Sequence, residues 1–389
     1  MPPLEHLLYA LPWILAGLLA PVMVRRRPRL ADSPAPPPED SPLVSIIVPA
    51  RNEAENIAGI SATLLSSNYP NYEVLIVDDR STDGTTEIAR RLAANHADRI
   101  IRVIEGQPLP EGWMGKCWAC WQGYQAARGD ILVFTDADTR HHPDLLGHAV
   151  GAIRQQNADL VSVFPRQLMF TFWERIVQPQ VFAAIMLRYR DGRRVNNARD
   201  PKKVIANGQF IAFPRASYEA IGGHEAVRGE IVEDLCLAQH AVNTGRRLYL
   251  AWADELIATR MYRSLNAIVE GWSKNLARAA RYTVAPGLRP ILPWAVAAFL
   301  LTFWVGPPLA LLAGFFVPPA PPTSWSLTAT LASLVFWAVM HRMLRISPTT
   351  ALLYPLGAML TTGLFIRSAV LGEAVTWKGR TYGRARRAE

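Results

Sequence analysis

Hydrophobic positions divide the chain into three regimes. Residues 4–24 are almost continuously apolar and long enough to span a bilayer with little tilt, which predicts a membrane anchor. Residues 43–285 alternate short apolar runs with amphipathic stretches, the pattern of an α/β domain. Beyond it the apolar runs lengthen again, at about 291–317, 325–341 and 350–371. The expected division is an anchor over 1–27, a linker over 28–42, a globular domain over 43–285, membrane segments over 286–376 and a basic tail over 377–389. The linker is rich in proline and is expected to be semi-extended and structureless.

Within the globular region, strands are expected at 44–48, 73–77, 100–105 and 131–135. Helices are expected from about 53–56, over about 85–95 and near 118–127. Such alternation predicts a mostly parallel sheet with helices on both faces. The strand runs are apolar throughout, as strands buried on both faces are. Two of them end in acids, Asp78-Asp79 and Asp136-Ala137-Asp138, at the edge where open α/β sheets bind ligands.

Charge sharpens this reading. The formal net charge is +9 over 389 residues. Much of the excess lies at Arg25, Arg26, Arg27 and Arg29 and in the tail from Lys378 to Arg387. Both groups abut apolar segments, which points to anionic lipid headgroups. No nucleic-acid-binding module accompanies them, so nucleic acid is not an expected partner. The arginines follow the first apolar run instead of preceding it, which argues for an uncleaved anchor. By the positive-inside rule, the N-terminus is expected outside and the globular domain in the cytoplasm, in a multi-pass protein of the cell (plasma or inner) membrane. His341, Arg342 and Arg345 put the next link inside, while the uncharged link at 318–323 can lie outside. If the third run also crosses, the basic tail falls outside, against the rule. Pro355, Gly357 and Gly363 permit a re-entrant or interfacial segment there. The three cysteines suit a reducing cytosol. Cys117 and Cys120 read as two thiols on a helix near a binding loop, too few for a closed zinc site.

Five groups carry candidate chemistry. Asp79 can accept hydrogen bonds from a base or a ribose, while Thr82 or Asp83 caps the following helix. Asp136 and Asp138 suit Mg²⁺ or Mn²⁺, which take one or two protein carboxylates and complete their shell with phosphate oxygens. The glycines at 112 and 115 allow close backbone approach, and Lys116 can meet a phosphate. Glu233 and Asp234 open a helix and offer a general base, and the turn at residues 222–225 could shape the acceptor side. Lys274 lies in a stretch, 270–275, that also holds Trp272, expected at a membrane interface. His141 and His142 are expected in a solvated turn.

Together these residues resemble the family-2 glycosyltransferases of GT-A fold. The resemblance covers about 43–285. It opens at Val48, Pro49, Ala50, Arg51, Asn52 and Glu53, and continues through Val77, Asp78, Asp79, Ser81, Asp83 and Thr85. It then takes in Gly115-Lys116, Asp136-Ala137-Asp138 and Glu233-Asp234. It implies a UDP-sugar donor bound by Pro49, Ala50, Glu53, Asp79, Lys116, Asp136 and Lys274, with Asp79 on the uracil. It implies Asp136 and Asp138 for the ribose and the metal-bound diphosphate. Asp234 is the implied base for inversion, with Glu233 as the alternative. The Gln-x-x-Arg-Trp element of processive synthases is absent. The loop at 109–116, residues 270–275 and Trp377-Lys378-Gly379-Arg380 look closer to the branch associated with carotenoids and hopanoids, where one sugar, glucose by expectation, goes onto a membrane lipid or terpenoid. The alternatives are a polyprenyl-phosphate sugar synthase or polysaccharide synthase, a glycosidase with paired carboxylates, and a non-catalytic membrane scaffold.

Overall fold

The computed structural model describes all residues except 1–3, 22–26, 96–100, 190, 317–322, 373–374 and 383–389. Arg25, Arg26, most of the uncharged link at 318–323 and the end of the basic tail therefore lie outside the described residues.

The strands, in chain order, are β1 (Val44–Ala50), β2 (Tyr72–Asp78), β3 (Ile101–Glu105), β4 (Ile131–Thr135), β5 (Thr139–His141), β6 (Leu160–Phe164), β7 (Arg166–Gln167), β8 (Phe210–Pro214), β9 (Leu248–Trp252), β10 (Ile257–Thr259), β11 (Val375–Trp377) and β12 (Arg380–Tyr382). Seven of them form the main sheet in the order β3-β2-β1-β4-β8-β6-β9. Only β8 runs antiparallel to its neighbours, so the sheet is mostly parallel, as expected. Ile46, Val48, Val74 and Ile76 pack on one face, and Ile47, Leu75, Val77 and Leu132 on the other. That two-sided burial is why these strands read as unbroken apolar runs. A small second sheet, β5-β10-β7, flanks the ends of β4 and β6.

The helices are α1 (Leu4–Leu19), α2 (Ile57–Leu65), α3 (Thr85–Asn95), α4 (Gly115–Ala126), α5 (Leu145–Gln156), α6 (Phe172–Arg188), α7 (Gly192–Asn196), α8 (Arg215–Ala220), α9 (Gly223–Ala226), α10 (Glu233–Asn243), α11 (Leu265–Arg281), α12 (Leu292–Phe299), α13 (Gly306–Phe316), α14 (Thr323–Met343) and α15 (Tyr354–Leu371). A π-helical stretch joins α12 to α13 into one long helix.

Two expectations about the N-terminal part change. The helix α1 has 16 residues, short of the about 20 that cross a bilayer. Pro21 follows it, and proline both lacks an N–H and disfavours helix in the residue before it. The linker is not structureless. Leu30 is fully buried in the main core, and the Trp252 N–H donates to the Pro28 carbonyl at 2.8 Å. A Cβ on Gly151 would fall 1.9 Å from the Pro34 carbonyl oxygen, so α5 needs glycine to let the linker lie on it.

Among the described residues, Leu292–Phe316 and Pro348–Leu371 are long and apolar enough to cross a membrane. The expected run at 325–341 is helical, as α14, but carries Ser326, Thr328, Thr330 and Ser333 and is not among them. Exposed apolar side chains line this region, including Leu8, Leu18, Phe299, Phe315, Phe316, Leu331 and Val370. Surface of that kind marks a membrane or a partner.

The third apolar run is pinned to the globular domain at both ends. Before α15, Arg345 pairs with Asp254 at 2.7 Å. At its start, Gln180 of α6 donates to the Tyr354 carbonyl at 3.2 Å. Near its end, the Ala277 N–H of α11 donates to Ser368 Oγ at 3.0 Å. Gly357 does not break the helix. It lets α15 approach α6, since a Cβ there would stand 2.4 Å from the Ile176 carbonyl oxygen. Gly357→Val is expected to cost about 1–3 kcal/mol, the usual penalty of overpacking. Thermal unfolding of the detergent-solubilised chain measures it, and an unchanged midpoint would contradict the close approach.

Candidate active site

The parallel strands end on one side of the sheet, and the loops there enclose a cleft of about 520 Å³. Every expected site residue lines it: Pro49, Ala50, Glu53, Asp79, Lys116, Asp136, Asp138, Glu233, Asp234 and Lys274.

The loop after β1 is tied to the loop after β2. Asp83 accepts from the Thr85 N–H at 3.1 Å, capping α3, and from the Ala54 N–H at 3.0 Å. Thr85 Oγ1 accepts from the Glu53 N–H at 2.8 Å. These bonds fix Glu53 over the end of the sheet. Asp78 is structural: it accepts from Thr86 Oγ1 at 2.8 Å. Asp79 is 3% exposed, and burial pushes its carboxyl above the ordinary range even though Arg380 and Arg51 oppose the shift. Arg380 holds both of its oxygens, with Nη2 2.9 Å from Oδ1.

Lys116 stands in the first turn of α4 and joins the two acidic motifs. Its Nζ lies 2.7 Å from Asp136 Oδ1 and 2.8 Å from Glu233 Oε1. Burial works to lower its pKa, but the carboxylates of Asp136, Glu233 and Asp234 hold it well above the lysine norm. The ammonium is thus a fixed positive charge at the centre of the cleft.

The Glu233-Asp234 pair separates into two roles. Glu233 is buried and tied to Lys116. Asp234 is partly exposed to the cleft, and each of its oxygens accepts one backbone bond, from the Gly208 and Leu235 N–H groups at 2.8 Å each. A Cβ on Gly208 would stand 3.0 Å from Lys116 Nζ and 3.3 Å from Asp234 Cβ. Glycine there lets the loop before β8 reach the acid. Burial, reinforced by neighbouring Glu233, pushes Asp234 up to about 6. That suits a base working near neutral pH, because it is ionised there yet still basic.

Asp138 is different. Its Oδ1 is buried without a hydrogen-bond partner. Burial, then Asp136 and Glu53, push it up to about 7. An orphaned carboxylate oxygen among acids is a place that a cation would stabilise. Among the described residues, no three His, Cys, Asp or Glu side chains converge into a metal cage. The two aspartates still fit a divalent ion that shares its shell with substrate phosphates.

Three expectations are corrected. His141 is not in a solvated turn: it is 6% exposed, in β5, with Nε2 3.0 Å from Thr135 Oγ1, and burial lowers it to about 3. His142 is half exposed beside Asp144. The turn at 222–225 does not wall the cleft. His224 is buried against Phe134, its Nδ1 2.8 Å from the Tyr218 hydroxyl. Trp272 is no interface anchor. It is 6% exposed and packs edge-on against Phe182 and Tyr262. The cysteines behave as expected: Cys117 and Cys120 are free and buried in α4.

The sequence reading missed Asn207, Gly208, Gln209, Arg260 and Tyr262, which complete the cleft. It noted Lys378 and Arg380 as part of a tail pattern but gave them no place in the site.

Residues 45–222 match the family described as Glycosyl transferase family 2. The chain carries a family 2 glycosyltransferase domain. Among curated proteins, this glycosyltransferase is similar to a 4,4'-diaponeurosporenoate glycosyltransferase of Staphylococcus aureus (strain MRSA252). The two are 27% identical over 361 residues, covering 87% of this chain and 88% of that one. The protein of the same name from Staphylococcus haemolyticus (strain JCSC1435) is 26% identical over 304 residues, 76% of this chain and 77% of that one. Among solved structures, the mannosyltransferase PcManGT from Pyrobaculum calidifontis, in complex with GDP-Man and Mn²⁺, superposes with a TM-score of 0.60 at 24% identity. That match covers 94% of this chain and 98% of that one. At this identity the likeness establishes the GT-A-type fold of the glycosyltransferase.

Proposed function

We propose that this glycosyltransferase moves one sugar from a UDP-sugar, UDP-glucose in the first instance, to a carotenoid-like or other terpenoid lipid in the membrane, with inversion at the anomeric carbon. The observation that carries the reading is the convergence of Asp136, Glu233 and, across Gly208, Asp234 on Lys116. A donor-binding motif and a base are thereby held in one cleft, with a cation between them.

In this reading Pro49, Ala50, Glu53 and Asp79 mark the nucleotide end. Lys116 and Lys274 face the diphosphate. Burial lowers Lys274 to about 8, with Glu233 opposing the shift, so an arriving polyanion would find it easily charged. Asp138, with Asp136, would hold Mg²⁺ or Mn²⁺. Such an ion would neutralise the diphosphate as it leaves. Asp234 takes the proton of an acceptor hydroxyl while the hydroxyl oxygen bonds to the anomeric carbon and the bond to UDP breaks. Glu233, already committed to Lys116, is the less available base.

The acceptor side follows from α11. One face of this helix gives Glu270, Lys274 and Asn275 to the cleft. Ile268, Trp272 and Leu276 on the other join the apolar cluster that contains α15 and α6. A lipid lying along α15 is therefore one helix away from Asp234. We assign the third apolar run to the membrane face on the catalytic side, not to a third crossing, because both of its ends meet the globular domain. The relatives named for a diaponeurosporenoate acceptor support the terpenoid class.

Nucleotide release by the detergent-solubilised chain tests this. The panel contains UDP-sugars and GDP-mannose, with and without Mn²⁺ or Mg²⁺ and carotenoid-containing lipid extract. Metal-dependent UDP release stimulated by the extract is expected. Release from GDP-mannose alone, or no stimulation by any terpenoid, would defeat the assignment.

A pH profile follows from Asp234. Its raised pKa makes the base protonated and idle below about 6 and ionised above. With a hydroxyl acceptor, kcat/KM should fall about tenfold per pH unit below that point and level off above it. A flat profile down to pH 5 would contradict the base.

A further inference from the structure

Past α15 the chain returns to the catalytic cleft. Strands β11 and β12 pair antiparallel around a two-residue turn, Lys378-Gly379. Both turn residues have positive φ, 44° and 77°, the mirror-image turn that fits the twist of a hairpin. The first position of such a turn usually goes to asparagine, aspartate or glycine. A lysine tolerated there calls for a use of its side chain.

The turn is fastened to the catalytic domain. Arg51 Nε donates to the Lys378 carbonyl at 3.1 Å. Lys378 Nζ pairs with Glu53. Arg380 grips Asp79 through both oxygens. Upstream, Arg278 of α11 donates to the Gly372 carbonyl. Lys378 is one of three lysines lining the cleft, with Lys116 and Lys274, and its charge is felt at Asp138 and at Lys274.

We propose that Lys378 is a donor-binding residue that contacts the diphosphate of the nucleotide sugar, and that Arg380, through Asp79, is the positioning residue that seats it there. This rests on the nucleotide-sugar reading above. Glu53 holds the ammonium at the edge of the cleft. Lys116 and Lys378 both oppose the charge on Lys274, and a diphosphate among the three would offset that repulsion. Asp79, at the nucleotide end of the cleft, thereby also anchors the hairpin, since Arg380 engages both of its oxygens. The donor site is in this way completed by a segment that follows the described apolar helices.

Calorimetric titration of the full detergent-solubilised chain with UDP and with uridine tests the assignment. Lys378→Ala should weaken UDP binding about tenfold or more, as expected for loss of a charged hydrogen bond, while uridine, which lacks phosphate, binds as before. Lys378→Arg should restore most of the UDP affinity. Arg380→Ala should weaken UDP to a similar degree, and combining it with Lys378→Ala should add little, since both act on one contact. Unchanged UDP affinity in Lys378→Ala, or equal losses for UDP and uridine, would overturn the assignment. Tighter UDP binding would also overturn it, by identifying the hairpin as a plug. A parent chain that binds GDP but not UDP would sink the uridine donor reading, while the same variants titrated with GDP would still decide the role of Lys378.

Discussion

Asp234→Asn is expected to reduce transfer by about 10²–10⁴-fold, the range that general bases supply, while leaving UDP binding near its parent value. Asparagine keeps the size of the side chain, and its amide oxygen can still accept from the Gly208 N–H, as Asp234 Oδ2 does now at 2.8 Å. What disappears is the capacity to take a proton from the acceptor, together with the bond from the Leu235 N–H, which an amide NH₂ cannot accept. Glu233 cannot substitute readily, because it is buried and committed to Lys116 at 2.8 Å. Glu233→Gln should therefore act differently, loosening Lys116 and weakening nucleotide binding along with turnover. Initial rates and UDP titrations on both variants separate the roles. Retained turnover in Asp234→Asn with loss in Glu233→Gln would exchange the assignments.

The second large effect is expected at Asp138. In the parent, Mn²⁺ should tighten UDP binding. In Asp138→Asn that linkage should vanish, with turnover falling at least about a hundredfold, as loss of a metal-held transition-state charge requires. The same change should leave the metal-free protein as stable as before, or raise its melting midpoint by a few degrees, about what 1 kcal/mol gives for a domain of this size. The sign follows from burial: the carboxyl is pushed up to about 7, so its ionised form is destabilising, and that cost builds as pH rises from the ordinary carboxylate range towards the shifted value and levels off above it. A site that destabilises its own fold until a ligand arrives is a common mark of function. Metal titrations at constant UDP, beside thermal unfolding in chelator, report both quantities. UDP binding that responds to Mn²⁺ in the variant as in the parent would remove Asp138 from the metal site.

The sheet was legible because burial on both faces leaves an unmistakable run of apolar residues. The strand expected at 131–135 and the helix expected at about 85–95 are β4 and α3. The acids were legible because they sit where those runs stop. The loops were not. Asn207, Gly208 and Gln209 form a short polar stretch of no particular pattern, and only the fold brings Gly208 beside Lys116 and Asp234. Hydropathy also misled in two ways. It assigned Trp272 to a water–lipid boundary because indole is amphipathic, although tertiary packing buries the ring. It treated the 28–42 segment as a spacer because of its prolines, although a single leucine, Leu30, docks it into the core. The tail pattern around Lys378 carried no signal for where it goes, since that position is set by more than three hundred residues of intervening chain.

The buried face of α11 bears on how the enzyme can be handled. Ile268, Trp272 and Leu276 are covered by the helices that hydropathy would assign to a separate membrane part, while the opposite face of the same helix lines the cleft. A chain cut after residue 285 is expected to express poorly as a soluble catalytic unit, which size-exclusion chromatography of that fragment checks. The cut would strip a hydrophobic seam, remove Lys378 and Arg380, and yield a product prone to aggregate. The catalytic domain and the apolar helices share one core cluster along α11, so the full chain is the unit in which the chemistry is expected.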